Sequence, residues 1–350
     1  MPGAALPGNL RLTAIRKERA GPHHHPGYSL LTRLQEKDYE AAVNAICREH
    51  LGLAPDESLL VVADPPLVNL AGRIAGLASG LCRSARLLRV GDISRAGLAP
   101  AGFTFEALAL ADCALLVTSK SLSHTDVRRR ACREAGRRIA SLPGLTENML
   151  LRLFASGRAE DLRRRTERLA AKVQGTREVC LRTPAGTDLE LSVAGRRLYL
   201  DTGIYRERGS FGNLPAGEVS WAPAAGSARG KIVVDVAFAG IGAVDRLELE
   251  IETGAVVSAA GSQSDLVMKI LAGPAERVLA EFGIGANPLA TPCGITLEAE
   301  KAVGTVHFGF GDNRSFGGEN AANGHWDAVL RCRGIDLDGK LLSLADPDPF

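Results

Sequence analysis

The sequence predicts two folded parts: an α/β N-terminal domain on a mostly parallel sheet, then a β-rich α+β C-terminal domain. Three observations point there. From about residue 35 to about residue 145, short apolar runs alternate with amphipathic helical segments, the rhythm of a parallel sheet with crossover helices. After about residue 173 the hydrophobic period becomes two and Gly-containing turns separate the runs, as in antiparallel hairpins. At 350 residues the chain is also long enough for two cores. The expected boundaries are 1–34 for a flexible tail, 35–172 for the α/β domain and 173–350 for the β-rich domain.

Taken in order, the tail is rich in Pro and Gly and carries His23, His24 and His25 in GPHHHPG, which reads as a solvated loop. QEKDYEAAVNAICREHLG from Gln35 is an amphipathic helix closing on glycine. SLLVVAD is a buried strand ended by Pro65 and Pro66, NLAGRIAGLASGLC a helix and SARLLRVGD a strand. FEALALAD is a helix leading into the strand CALLVTS, HTDVRRRACREAG a helix with a basic face, and RRIASLPG a strand. No GxGxxG follows the first strand, so no dinucleotide fingerprint is present. Residues 146–173 form a charged helical connector with a break at Ser156-Gly157. Beyond it come a hairpin around Pro-Ala-Gly, the strand KIVVDVAFAG, a hairpin around Thr-Gly in RLELEIETGAVVSAAG, and a last one around Asp-Gly in IDLDGKLL. One helix, SDLVMKILAGPAERVLAEF, is expected to interrupt them.

Composition narrows the function classes. Hydrophobic residues make up 45% and charged residues 23%, which is ordinary for a globular protein. A net charge of +2 argues for neither nucleic acid nor a membrane surface as partner. Seven cysteines stand singly with no CxxC, as reduced thiols of a cytoplasmic protein do. No apolar run reaches the roughly 20 residues of a membrane span, and the N-terminus lacks the apolar core of a signal peptide. A cytoplasmic location is the expectation.

Chemistry gathers between Glu281 and Asp327. His325 and Asp327 are two apart, so on a strand they leave the same face and can hold a divalent metal together. Glycines crowd the segment, as they do where backbone passes close to something bound. His307 lies in the strand GTVHFGFG, where a lone histidine is ordinarily a hydrogen-bonded core residue. Glu281 closes an apolar helix face, and Glu218 lies in the turn-rich loop GNLPAGEV. Glu298, Glu300 and Glu319 are further acids nearby that read as structural. In SLSHTDV, at the carboxyl end of a strand, Ser123 or Thr125 reads as a helix N-cap, while His124 is a candidate for facing a cleft.

In this order, NLPAGEV, AEFGIGANP, GTVHFGFGDN and GHWD resemble the aminopeptidase T and aminopeptidase S metallopeptidases, over about residues 110–345 and most strongly after Asn213. The resemblance implies an α/β domain, a β-rich metal-binding domain, homodimers, and two co-catalytic divalent ions (Zn, Co or Mn). It implies Glu218, Glu281, His307, His325 and Asp327 as ligands, and a peptide or small amide as substrate. Paired ions lower the pKa of a water between them and polarise the scissile carbonyl; Glu281 or Glu218 would take the proton. The sequence departs from the family in one respect. The peptidases carry a tyrosine a few residues beyond the strand histidine, and here Arg314 falls near that place, a side chain able to stabilise an oxyanion or grip a carboxylate.

The chain is also similar to the 2,5-dihydroxypyridine dioxygenases of the same superfamily, which use one Fe(II) held by two histidines and an aspartate. These have histidine in place of Glu281 and no ligands matching Glu218 and His307. A triad of His307, His325 and Asp327 would be the Fe(II) site here. A metal- or peptide-binding module without turnover is the non-enzymatic reading.

Overall fold

The computed structural model describes residues 12–14 and 30–344. They fall into two compact units. The first runs to Glu160 and also takes in Gly203–Leu214; the second holds Asp161–Thr202 and the chain from Pro215 onward. The division falls within the helix Ala159–Val173, earlier than the change of hydrophobic period, and the chain returns once to the first unit.

That return completes the first sheet. Its order is Leu12–Ala14, Ser84–Arg89, Ser58–Ala63, Cys113–Leu116, Arg138–Ser141 and Phe211–Asn213. The last five are parallel and the first is antiparallel to its neighbour. Ser58–Ala63, Cys113–Leu116 and Arg138–Ser141 are buried along their whole length, so they read as unbroken runs without alternation. Two strands lay outside the sequence reading. Leu12–Ala14 comes from the expected tail and pairs along an otherwise open sheet edge. Phe211–Asn213 is too short to show a period. The three histidines of the tail lie outside the described residues.

Helix starts follow their caps. Thr104, Thr125 and Thr146 accept hydrogen bonds from the N–H groups of Ala107, Arg128 and Met149. Thr125 is thus the N-cap; Ser123 donates to Asn213 Oδ1 at 2.7 Å and His124 is exposed. The connector breaks at Ser156, as its sequence predicts.

The second unit contains two antiparallel seven-stranded sheets. One runs Ala255–Gly261, Leu247–Glu252, Arg229–Val234, Asp188–Ser192, Glu178–Arg182, Gly334–Leu337 and Lys340–Ser343. The other runs Gly242–Ala243, Ala237–Phe238, His325–Arg331, Thr305–Gly311, Leu279–Gly285, Glu218–Trp221 and Tyr199–Asp201. A single apolar core joins their facing sides: Leu189, Ile232 and Leu249 from one with Trp221, Phe282, Phe308 and Leu330 from the other. Trp221, Phe282 and Phe308 stack in a row at centroid spacings of 5.9 and 5.5 Å. The Thr253-Gly254 and Asp338-Gly339 turns carry positive φ at both residues, as tight hairpins require.

The expected helix through Phe282 is shorter in the structure. It covers Ser264–Ile270 and stops before Gly273-Pro274; Leu279–Gly285 is a strand. Proline cannot continue the helix, and beyond it LAEFGIG alternates across a sheet rather than around a cylinder. Glu281 is therefore a strand residue.

All seven cysteines are free thiols. Among the described residues no helix is long and apolar enough to cross a membrane.

Candidate metal centre

The second sheet sorts its side chains by parity. On Leu279–Gly285, Phe282 and Ile284 enter the core while Glu281, Gly283 and Gly285 take the other face. On Thr305–Gly311, Val306, Phe308 and Phe310 point inward, leaving His307, Gly309 and Gly311 outward. On His325–Arg331, Ala328 and Leu330 are core residues, with Trp326 packed against it, and His325 and Asp327 lie opposite. Register then brings the outward residues together. Glu281 pairs with Gly309 and Gly309 with Asp327, while His307 pairs with Gly283 and His325 with Gly311. Glu218 enters from the next strand, paired with Gly285.

Each histidine thus faces a glycine across the ladder, and a glycine of the neighbouring strand makes room for each ring: Gly283, opposite His307, and Gly309, beside the Gly311 that His325 faces. A Cβ on Gly283 would lie 2.1 Å from His307 Cε1 and 2.3 Å from Nε2. One on Gly309 would lie 2.3 Å from His325 Nε2 and 3.0 Å from Asp327 Oδ1. These rings lie flat across the neighbouring strand, which no larger residue there permits.

The result is two donor groups sharing one carboxylate. Glu218, Glu281 and His307 each offer an atom within 4.8 Å of the others, and so do Glu281, His325 and Asp327. Glu281 spans both, with Oε1 3.8 Å from His307 Nε2 and Oε2 3.0 Å from His325 Nε2. His325 Nε2 is also 3.0 Å from Asp327 Oδ1, and its Nδ1 lies 2.9 Å from the Asp312 carbonyl. With Nδ1–H donated to that carbonyl, Nε2 is the ring atom that faces the Glu281 and Asp327 carboxylates. The triad His307, His325 and Asp327 does not meet the same 4.8 Å spacing among the described residues; Glu281 stands between the histidines.

Electrostatics fits a place for cations. Burial would raise the Glu281 carboxyl, yet hydrogen bonds from His307 and His325 hold it well below the usual range. Burial acts likewise on Asp327, and the His325 charge overrides it. For the imidazoles burial opposes the charged form, but the carboxylates prevail. Glu281 and Glu218 lift His307 to about 9, and Asp327 and Glu281 lift His325 well above its ordinary value. Without metal, protons stand where cations would. One buried atom of the first group, Glu218 Oε2, has no hydrogen-bond partner, as suits a donor whose natural partner is an ion. Three carboxylates and two imidazoles suit Zn, Mn, Co or Fe(II), so the residues present fit the implied metal.

The remaining candidates sit apart from this cluster. The Arg314 guanidinium is exposed and taken by the Asp312 carboxylate, with Nε at 2.7 Å. Glu298 accepts from the N–H and hydroxyl of Thr291, a structural role, and Glu319 is exposed. Glu300 belongs to the site's edge, and burial pushes its carboxyl up to about 8. Lys301 was missed by the sequence reading. It is buried, with Nζ 2.6 Å from Glu218 Oε1 and 2.8 Å from Glu300 Oε1. A charged pair directly before a fully apolar strand, EKAVGTVHF, was its only signal.

Two solved structures share this fold. The 2,5-dihydroxypyridine dioxygenase of Pseudomonas putida superposes with a TM-score of 0.69 at 19% identity, covering 90% of this chain and 96% of that one. AmpT from Thermus thermophilus gives 0.63 at 18%, covering 89% and 98%. None of the curated proteins gives a significant sequence match. The family pattern of NicX, 2,5-dihydroxypyridine 5,6-dioxygenase, matches residues 89–344. Spanning both the later strands of the first sheet and every donor of the metal centre, that match makes the chain a member of the NicX family.

Proposed function

We propose that the chain is a metal-dependent hydrolase of the aminopeptidase type, acting on a free N-terminus or small amide. One observation carries this reading: Glu281 is shared by two complete three-donor groups. A single Fe(II) on Glu281, His325 and Asp327 would leave the other three-donor group without an ion and Glu218 Oε2 buried with no partner. Two divalent cations on such a site supply an acidified water and a polarised carbonyl. The chain's own groups do the rest. His325 is held by the Asp312 carbonyl with Nε2 presented, and His307 is seated over Gly283. Whichever of Glu281 and Glu218 keeps an oxygen free of metal takes the proton of the attacking water and passes it to the leaving amine.

A second reading has its own support. The family pattern is named for a ring-cleaving dioxygenase, and Glu281, His325 and Asp327 form a compact set able to hold one Fe(II). The deciding experiment strips the protein with chelator and reloads it in two ways. With Zn, Mn or Co it is offered aminoacyl amides and short peptides; with Fe(II) and oxygen it is offered 2,5-dihydroxypyridine. Amide cleavage that returns with metal and vanishes in Glu281→Gln supports the hydrolase. Oxygen uptake with ring opening, and no amide cleavage, would replace it with the oxygenase.

A further inference from the structure

The donor set leaves one charged group without a use. Lys301 is 3% exposed, and an ammonium is buried at a cost unless carboxylates hold it. Glu218 and Glu300 do so, with oxygens 2.6 and 2.8 Å from the ammonium. The backbone fixes its place. A Cβ on Gly285 would lie 2.2 Å from the Ala302 carbonyl oxygen and 2.7 Å from the Lys301 carbonyl carbon, so only glycine lets residues 300–302 cross the sheet there. Asn287 secures the crossing, its N–H donating to the Lys301 carbonyl at 2.7 Å and its carbonyl accepting from Val303. Lysine is thereby delivered to Glu218.

This makes the two donor groups unequal. Glu218 gives Oε1 to the ammonium and keeps only Oε2 for a metal. An ion held by Glu218, Glu281 and His307 shares a carboxylate with a fixed positive charge. An ion held by Glu281, His325 and Asp327 does not. We infer that Lys301 is a built-in monovalent cation that ranks the two positions: the Glu281–His325–Asp327 position fills first and tightly, the Glu218–Glu281–His307 position second and weakly. The inference rests on reading the five donors as a metal centre and adds the order and strength of filling. Occupancy by one ion or two then becomes a matter of free metal concentration. Like charges a few ångströms apart at an effective dielectric of about 20 separate the two affinities by on the order of 100-fold or more.

The test is calorimetric titration of the chelator-stripped full chain with Zn²⁺ alone. Wild type is expected to show two steps about 100-fold apart. Lys301→Met should tighten the weak step and bring the two within about tenfold, leaving the tight step little changed. Lys301→Arg keeps the charge and should keep the gap. Glu300→Gln leaves the ammonium to Glu218 alone and should weaken the second step further. Circular dichroism establishes that each variant is folded; should Lys301→Met not fold, a kept gap in Lys301→Arg with a wider one in Glu300→Gln supports the inference, and any other pair of results overturns it. A Lys301→Met protein whose weak step is unchanged or weaker would overturn the inference, because lysine would then merely orient Glu218. Two equal steps in wild type would overturn it while leaving the metal centre intact. No Zn²⁺ binding at all would sink the metal centre itself and this inference with it.

Discussion

Replacing Gly283 with alanine adds one methyl group at the point where the structure tolerates it least. The added carbon would stand 2.1 Å from His307 Cε1, short of normal carbon–carbon contact by about 1.4 Å. The strand cannot yield easily, because Phe282 and Ile284 on either side are anchored in the core with no exposed surface. The ring must therefore move, and a shift of about 1 Å is half the length of a zinc–imidazole bond of about 2.0–2.1 Å. The expected outcome is loss of the cation held by Glu218, Glu281 and His307, with about 1–3 kcal/mol of destabilisation from overpacking. Gly76→Ala is the control: its new Cβ meets nothing within 4 Å, and in a helix interior it is expected to stabilise by about 0.5–1 kcal/mol. Zinc titration together with urea unfolding reads both effects. A Gly283→Ala protein with wild-type zinc binding and an unmoved transition would refute the claim that glycine is there to seat the histidine.

Three further outcomes follow from the same geometry. His325→Ala or Asp327→Ala removes a donor of the second group and should lower zinc affinity there by at least about 100-fold while the circular dichroism spectrum is retained; undiminished affinity would show that the ion binds elsewhere. In the metal-free protein, His307 is raised from 6.5 to about 9, so its contribution of about 3 kcal/mol is full below pH 6.5 and disappears as the pH rises through 9. Urea midpoints should fall over that interval, with His307→Gln flattening the decline, and a midpoint that rises there would contradict the assignment. Phe282→Ala opens a cavity between Trp221 and Phe308 and should cost about 3–5 kcal/mol with zinc affinity kept in the folded fraction, since its ring faces away from the donors.

Much of the fold was legible because burial writes itself into local pattern. The central parallel strands Ser58–Ala63 and Cys113–Leu116 are nearly unbroken apolar runs because they are buried along their whole length, and the hairpins of the second unit announce themselves at Thr253-Gly254 and Asp338-Gly339. What escaped notice was decided elsewhere in the chain. Phe211–Asn213 joins the first sheet only because the chain returns to it, and three residues carry no periodicity. Glu281 was read on a helix because VLAEF is as apolar as a helix face; the proline five residues before Leu279 outweighed it. Of the site, the five donors were legible as residue types within motifs, whereas Lys301 was not. Its position depends on the absence of a side chain at Gly285, and a glycine's purpose is visible only once its neighbour is in place.

The division of the sheet into two faces also explains how one fold shared at 18–19% identity can be common to an oxygenase and to AmpT. Neighbouring positions on each strand belong to different energy scales. Phe282 answers to the core, where an altered volume costs kilocalories; Glu281 answers to the imidazoles across the ladder. An outward residue can be exchanged without disturbing the inward one, so donors drift while the sandwich persists. The constraint that travels with the donors is the glycine opposite each ring. Wherever the outer face keeps an imidazole lying across the next strand, that strand must keep its gap, and the pairing of His307 with Gly283 and of His325 with Gly311 beside Gly309 is the physical record of the centre.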